Sequence, residues 1–489
     1  MNWPRIIQGG MGAGVSGWRL ARAVAQKGQL GVVSGTALDT LLIRTLQDGD
    51  AGGHVRRALS AFPLQCAATR VLDRYLLPEG VKDHDPRTPR YALAPLLRAR
   101  LSPEREALIV LANFVEVWLA KEGHGGLVGI NYLEKIQMAT LPSVYGAMLA
   151  GVDVVLMGAG IPAEIPGALD ALAQHEPASI TLDVLDAGDE RFHLLFDPRG
   201  LWAATETQPP GLQRPRFLPI VSSVTLARAL LKRSRSGGID GFVVEAPTAG
   251  GHNAPPRGDM RLSPAGEPIY SERDTADPAQ MAALGVPFWL AGGRATPERL
   301  AHALAHGAAG IQVGTAFAFC EESGLTRELK SRVIERVISG DARARVFTDP
   351  VASPTGYPFK VVELEGTLSE ASAFAERPRL CDLGYLRRAY RKPDGTLDYR
   401  CPGEPVEDYV RKGGKAEDTI GRKCLCNALV TNIGLGQRRA DGYEELPMLT
   451  AGDDLECIRG FIAPGTSSYS AGEVLDSLLG AAIVEHGSV

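Results

Sequence analysis

The sequence has no long basic run and no excess of positive charge. Its 52 lysine and arginine residues stand against 57 acidic residues, which gives a formal net charge of −5. Proteins that bind nucleic acid usually concentrate positive charge on one surface, because neutralising phosphates supplies much of their affinity. We therefore expect no nucleic-acid partner.

Long uninterrupted apolar blocks are also missing, both of membrane-span length and of signal-peptide type. The longest apolar stretch runs from Tyr145 to Pro162, and it contains Asp153 and four glycines. That composition is more typical of a helix end followed by a buried strand. We expect a cytoplasmic protein with no membrane partner, and the sequence leaves open whether it forms a homo-oligomer.

Cysteine is scarce and odd in number, with 7 among 489 residues. Without secretory features this count disfavours a disulfide framework. Four of the cysteines lie close together near the C-terminus, although none forms a C-x-x-C pair: Cys381, Cys401, Cys424 and Cys426. Four thiolates can hold a zinc ion or an iron–sulfur cluster. Four ordinary reduced thiols are the alternative, and the sequence leaves both open.

What the sequence does contain is a series of eight short β-rich runs, most of them nearly continuous in apolar residues and each followed by a helical pattern. This alternation is typical of parallel strands joined by crossover helices, and eight such units close into a barrel. We therefore predict an α/β fold, a (β/α)8 TIM barrel. The predicted strands are Arg5–Gly10, Leu30–Thr36, Leu127–Tyr132, Val152–Gly158, Leu218–Ser223, Gly241–Ala246, Phe288–Gly293 and Gly310–Ala316.

Two connections are too long for a plain β/α unit, and they predict long inserts at about 37–126 and 159–216. The second insert is expected to contain a hairpin, since Ser179–Val184 and Arg191–Phe196 flank a turn sequence. The barrel pattern ends past Ser339. We therefore expect a barrel over residues 1–345 and a C-terminal extension with the cysteine cluster over 346–489.

The loops after the seventh and eighth predicted strands have the composition of a phosphate site. Gly292 and Gly293 follow strand seven, and Gly314 and Thr315 follow strand eight. Glycines let backbone N–H groups approach an anion, and these two loops commonly bind phosphate in barrels of this kind. Glycines can simply turn the chain, and that is their commoner role. The occurrence of glycine in both loops nevertheless favours a phosphate-binding site.

Several motifs around these loops resemble the nitronate monooxygenases, also called 2-nitropropane dioxygenases. The segment Ile6–Ser16 resembles the opening strand and loop of that family, and Ala249-Gly250-Gly251-His252 resembles its histidine motif. Residues 290–293 and 312–317, with Glu322-Ser323, resemble the half of its site that holds the phosphate of FMN. The resemblance covers residues 217–323 well and 5–130 loosely, and it extends to flavin-dependent enoyl-thioester reductases.

The resemblance implies an FMN-dependent oxidoreductase that acts on a small molecule. His252 is the expected catalytic residue, since imidazole can take a proton from a carbon acid or stabilise a nitronate anion. The expected FMN-binding residues are Gly9, Gly10, Met11, Gly12, Asn131, Gly250, Gly251, Gly292, Gly293, Gly314 and Thr315.

Three functions follow as hypotheses. The first is oxidation of alkyl nitronates by dioxygen to a carbonyl compound and nitrite. The second is NAD(P)H-dependent reduction of an enoyl thioester or similar acceptor, which an iron–sulfur relay would favour, and the third is a non-redox barrel that binds a phosphorylated metabolite.

The sequence departs from the family beside the histidine, which leaves the substrate open. Thr248 occupies the position, two residues before Gly250, where members of the family usually have an acidic residue. In the family a glycine follows the histidine closely, whereas here His252 is followed by Asn253–Gly258. Arg257 and Arg294 could hold an anionic substrate or a phosphate, or could be solvated surface residues.

Overall fold

A computed structural model of the chain describes residues 3–81, 88–203, 207–234, 238–341 and 345–484. Eight parallel strands form one sheet, and each corresponds to a predicted strand. Most are shorter than predicted, because the glycines and small residues at their carboxyl ends turn the chain away from the sheet. The strands are Ile6–Gln8, Gly31–Ser34, Val128–Leu133, Val154–Gly158, Arg216–Val221, Phe242–Glu245, Phe288–Ala291 and Gly310–Val313.

The sheet closes into the predicted TIM barrel. Successive strands are neighbours, and the first strand pairs in parallel with the eighth. The first and second strands meet at a bridge between Ile7 and Leu30, where Gln8 N donates to Leu30 O at 3.0 Å. The interior is filled by apolar side chains that include Trp289, Leu156 and Val243. A closed sheet leaves no unpaired edge, so polar chemistry is confined to the loops at its ends.

Helices cover the outside of the barrel, and two of them begin at side-chain caps. Ser102 Oγ accepts from Arg105 N at 3.2 Å, and Thr296 Oγ1 accepts from Arg299 N at 3.3 Å. Both helices have proline at the first position, where no N–H is required. The helices are Trp18–Gln26, Leu38–Gln47, His54–Ser60, Gln65–Tyr75, Pro103–Lys121, Gln137–Leu149, Ile165–Ala173, Arg199–Trp202, Val224–Arg233, Pro278–Ala282, Pro297–Ala305, Thr315–Ala318, Arg327–Ser339, Ala371–Glu376, Val406–Arg411, Leu425–Thr431 and Ala471–Val484.

The remaining strands lie outside the barrel. The hairpin predicted in the second long connection is present, as antiparallel Ala178–Leu182 and Phe192–Phe196. Further along the chain, Val346–Asp349 pairs with Phe359–Val362. A three-stranded sheet joins the second connection to the C-terminal part of the chain; its strands are Val184–Leu185, Arg388–Arg391 and Leu397–Arg400.

The chain beyond residue 345 packs on the carboxyl end of the barrel. Lys360 N donates to Gly251 O at 3.0 Å, and Asn253 N donates to Pro358 O at 2.9 Å. On another side, Tyr385 OH donates to Asp39 Oδ1 at 2.6 Å, which ties this part of the chain to the first long connection. The end of the barrel where catalytic groups usually lie is thereby covered. Among the described helices, none has the length and apolar character needed to cross a membrane.

Candidate active site

A cavity of about 220 Å³ lies at the carboxyl ends of the barrel strands. All twelve residues that the sequence assigns to FMN binding or catalysis line it, although they come from five separate loops and strand ends. They are Gly9, Gly10, Met11, Gly12, Asn131, Gly250, Gly251, His252, Gly292, Gly293, Gly314 and Thr315. The structure thus brings the predicted set together, while their roles remain predictions.

The loop after the first strand is held by Ser16. The Ser16 hydroxyl donates to Gly9 O at 2.8 Å and accepts from Met11 N at 3.0 Å. Gly10 lies against Asn131, where an added Cβ would stand only 2.4 Å from the Asn131 Cβ. A side chain at position 10 would therefore push the loop off the third strand and into the cavity.

The two predicted phosphate loops have the backbone that glycine allows. Gly292 and Gly293 have φ of 94° and 56°, in the left-handed region. A Cβ on Gly292 would lie 2.8 Å from the Thr248 Oγ1. In the other loop, Thr315 Oγ1 accepts from Gly452 N at 2.9 Å. The glycines thus leave backbone open towards the cavity, whereas the Thr315 hydroxyl already has a protein partner.

Four polar atoms on the cavity wall are buried without a hydrogen-bond partner among the described residues: Thr36 Oγ1, Asn131 Oδ1, Arg294 Nε and Gln312 Oε1. Buried polar atoms in folded proteins are nearly always paired, so a cluster of unpaired ones indicates a ligand. Burial lowers the pKa of the Arg294 guanidinium, and Arg299 lowers it further. Arg294 is therefore suited to an anion, whereas Arg257 lines a different cavity.

His252 is positioned by the chain beyond residue 345. Its Nε2 lies 2.7 Å from Ser353 Oγ, and its ring meets the Phe359 ring edge-on at 4.9 Å between centroids. Burial lowers the pKa of the imidazole to about 4. His252 is therefore uncharged at neutral pH, in the form that accepts a proton.

Sequence reasoning missed the cavity wall that comes from the C-terminal part of the chain. One part is largely apolar and includes Leu386, Leu425 and Leu429, while the other runs along residues 450–454 beside the phosphate loops. There Gly251 N donates to Thr450 Oγ1 at 2.8 Å. These residues form no recognisable motif, so nothing in their local sequence would have identified them.

Glu245, the last residue of the sixth strand, was also missed. Its carboxyl group lines the cavity, and burial raises the pKa of that group to about 8. A lone acid at the end of an apolar strand is a signal that could have found it, because catalytic groups in this fold sit at the carboxyl ends of strands.

The four clustered cysteines do not form the metal centre that was one of the two predictions. Within the described ranges, no group of three or more His, Cys, Asp and Glu side chains could hold a metal ion. The Cys381 and Cys401 thiols are hydrogen-bonded to each other, while Cys424 precedes the helix Leu425–Thr431 and Cys426 is its second residue. Cys426 lines the cavity, while Cys424 Sγ accepts from Asn427 Nδ2 at 3.5 Å. All four are free thiols; burial raises the pKa of Cys424 and Cys426, whereas the hydrogen bond with Cys381, followed by burial, raises the pKa of Cys401.

Comparisons with known families gave one sequence match. The sequence model of the nitronate monooxygenase family matches residues 216–345, which contain strands five to eight of the barrel. The match confirms the predicted resemblance for this segment, and it supports an oxidoreductase. No curated protein matches the sequence.

Solved structures with a similar fold include FabK from Thermotoga maritima, with 14% identity over 99% of this chain and 96% of that chain and a TM-score of 0.47. Nitroalkane oxidase from Streptomyces ansochromogenes has 16% identity over 99% of this chain and 96% of that chain, with a TM-score of 0.45. The enoyl reductase domain of MlnA from Bacillus amyloliquefaciens has 12% identity over 99% of this chain and 96% of that chain, with a TM-score of 0.45. Similarities of this size do not assign a substrate.

Proposed function

We propose, from the nitronate monooxygenase domain in residues 216–345, that this chain holds FMN and oxidises alkyl nitronates with dioxygen to a carbonyl compound and nitrite. The single observation that carries the proposal is the cavity itself. It gathers the glycine loops, four unpartnered polar atoms and a neutral, half-buried histidine at the carboxyl end of one barrel.

The cavity wall fits FMN in its chemistry. Gly292, Gly293 and Gly314 would leave backbone N–H groups free for a phosphate, and Arg294 would supply a half-buried positive charge. The unpaired side-chain oxygens of Asn131 and Gln312 would accept from ring N–H groups. When bound, FMN supplies the redox step, taking electrons from the substrate and passing them to dioxygen.

The protein's own contribution to the reaction is binding and proton chemistry. His252, uncharged at neutral pH, can accept the proton of a neutral nitroalkane and so produce the nitronate in place. Ser353 and Phe359 hold the imidazole ring in one orientation. The apolar wall from Leu386, Leu425 and Leu429 favours an alkyl substituent and excludes water from it.

The first test is whether the protein binds FMN. We expect purified protein to be yellow and to release about one FMN per chain on denaturation, because the proposed contacts are all noncovalent. Flavin should be identified by absorbance and chromatography after acid treatment. A colourless protein that gains no flavin from added FMN would contradict this proposal and favour the non-redox phosphometabolite hypothesis.

The second test identifies the reductant. We expect anaerobic mixing with an alkyl nitronate to bleach the flavin absorbance, and admission of air to restore it with release of nitrite. The measurement is stopped-flow absorbance together with a nitrite assay. NADH and NADPH are the controls, because fast bleaching by either of them and none by a nitronate would replace the proposed reaction with the reductase hypothesis.

A further inference from the structure

Glu245 is an acid placed inside the barrel mouth by strand geometry. Side chains alternate along a strand, and Val243, two residues earlier, belongs to the apolar interior of the barrel. Glu245 therefore points the same way, at the top of that interior. It pairs with Ala291 in the neighbouring strand, the residue directly before Gly292. The carboxyl group thus lies beside the predicted flavin loops.

The carboxyl group has no hydrogen-bonded partner in the part of the chain that the structure describes. Glu245 lines both the main cavity and a second cavity of about 80 Å³. The half-buried side chain is therefore exposed to these two cavities. The charge of Lys360 acts on it, but Lys360 Nζ already donates to Thr348 Oγ1 at 2.8 Å and to Asp453 Oδ1 at 2.5 Å. Glu245 is left available to a ligand.

The other charged and titratable groups around the two cavities do not provide a counter-charge for Glu245. The main cavity presents Arg294, Asp454 and neutral His252. It also presents Tyr132, Tyr385, Cys426 and Cys457, which stay neutral because burial raises their pKa values. The second cavity presents Arg257, Asp274 and Tyr270; Asp274 accepts from the backbone of Arg257 and of Ser271. Burial raises the pKa of Tyr270 to about 12, so its hydroxyl stays neutral.

A buried carboxyl group without a counter-charge stays protonated at neutral pH. For Glu245 burial raises the pKa to about 8, against a weaker opposite effect of Lys360. A protonated acid can donate a hydrogen bond to an oxygen anion, whereas the ionised acid would repel it. Ionisation above the pKa should therefore oppose the binding of an anionic substrate.

We infer that Glu245 is a specificity-determining residue, whose protonated carboxyl group donates a hydrogen bond to an oxygen of the bound nitronate. This inference rests on the proposed function. It explains how an acidic residue is tolerated in a site for an anion. It also assigns Glu245 a role separate from that of His252, because one group donates to the anion while the other accepts a proton.

The test is the pH dependence of KM for a preformed alkyl nitronate. In the unaltered protein KM should rise about tenfold between about pH 7 and pH 9, as the protonated fraction of Glu245 falls. Glu245→Gln should raise KM about threefold at pH 7, since an amide is a weaker donor, and should remove the rise at high pH. Glu245→Leu should raise KM about tenfold at pH 7, with less change in kcat, because the donor is lost.

Glu116 provides the matched control. It is buried outside the cavity, accepts from Trp18 N at 3.0 Å, and burial raises its pKa to about 7. Glu116→Gln should keep the rise of KM with pH. Infrared titration should show a protonated carboxyl band that ionises near pH 8 and is missing in Glu245→Gln but not in Glu116→Gln.

Three results would be decisive against these assignments. A KM in the unaltered protein that does not change with pH, or the same rise in Glu245→Gln, would overturn the role of Glu245. Absence of the carboxyl band at pH 7 would overturn its protonation. A protein that binds flavin but does not act on nitronates would instead contradict the proposed function, and is distinguished by the lack of turnover in every variant.

Discussion

His252→Ala should lower turnover of a neutral nitroalkane by about 10²-fold, because the variant lacks the group that removes the substrate proton. Burial holds the pKa of His252 at about 4, so the imidazole is in its basic form throughout the neutral range. The rate in the unaltered protein should therefore not fall with decreasing pH until the pH approaches this pKa. The measurement is steady-state oxygen consumption against pH for the two proteins.

A substrate supplied as the nitronate separates this role from a structural one. It needs no proton removed, so His252→Ala should slow its oxidation much less. Ser353→Ala is the matched control, because it keeps the imidazole and removes the 2.7 Å contact that orients it, together with the hydrogen bonds of the Ser353 hydroxyl to Thr355. Its loss of activity should be smaller. Equal losses with the nitroalkane and the nitronate would exclude His252 as the base.

Gly292→Ala should weaken FMN binding by about 10²-fold, because its Cβ would stand 2.8 Å from Thr248 Oγ1 and 3.1 Å from Ala249 N. Ala249 N is a backbone atom, so it cannot move without shifting the loop after strand six, which carries Gly250, Gly251 and His252. The φ of 94° adds backbone strain of about 1 kcal/mol for any side chain. Quenching of FMN fluorescence on titration with flavin-free protein gives the affinity.

Gly285→Ala is the control for backbone strain alone. Gly285 has a φ of 73°, lies outside the cavity, and nothing stands within 4 Å of an added Cβ. Gly285→Ala should lose thermal stability through backbone strain alone and keep its flavin, whereas Gly292→Ala should lose flavin as well. Unchanged FMN affinity in Gly292→Ala would remove this loop from the cofactor site.

Much of the barrel could be predicted because its signals are local. Each strand is a short apolar run closed by glycine or a small residue, and helix caps such as Ser102 and Thr296 act within one turn. The convergence of Gly10, Gly251 and Gly292 on one cavity could be predicted for a related reason. In a closed parallel barrel all carboxyl ends of the strands meet at one face.

The C-terminal part of the chain could not be predicted in the same way. Ser353, Phe359 and Thr450 are separated in sequence from the residues they contact by about a hundred positions or more, and no spacing relates them to His252 or Gly251. The cysteines illustrate the same limit, since proximity along the chain left a metal centre open. Among the described residues, no group of three or more His, Cys, Asp and Glu side chains could hold a metal ion.

The sequence by itself thus determined the barrel, the glycine loops and the histidine, because periodicity, backbone freedom and residue chemistry are properties of short segments. Tertiary structure alone decided which groups are charged. The pKa of His252 falls and that of Glu245 rises for one reason, the removal of water by the covering chain. That burial depends on contacts between distant segments, so an acid and a base in this site could be assigned only after the chain had been folded around them.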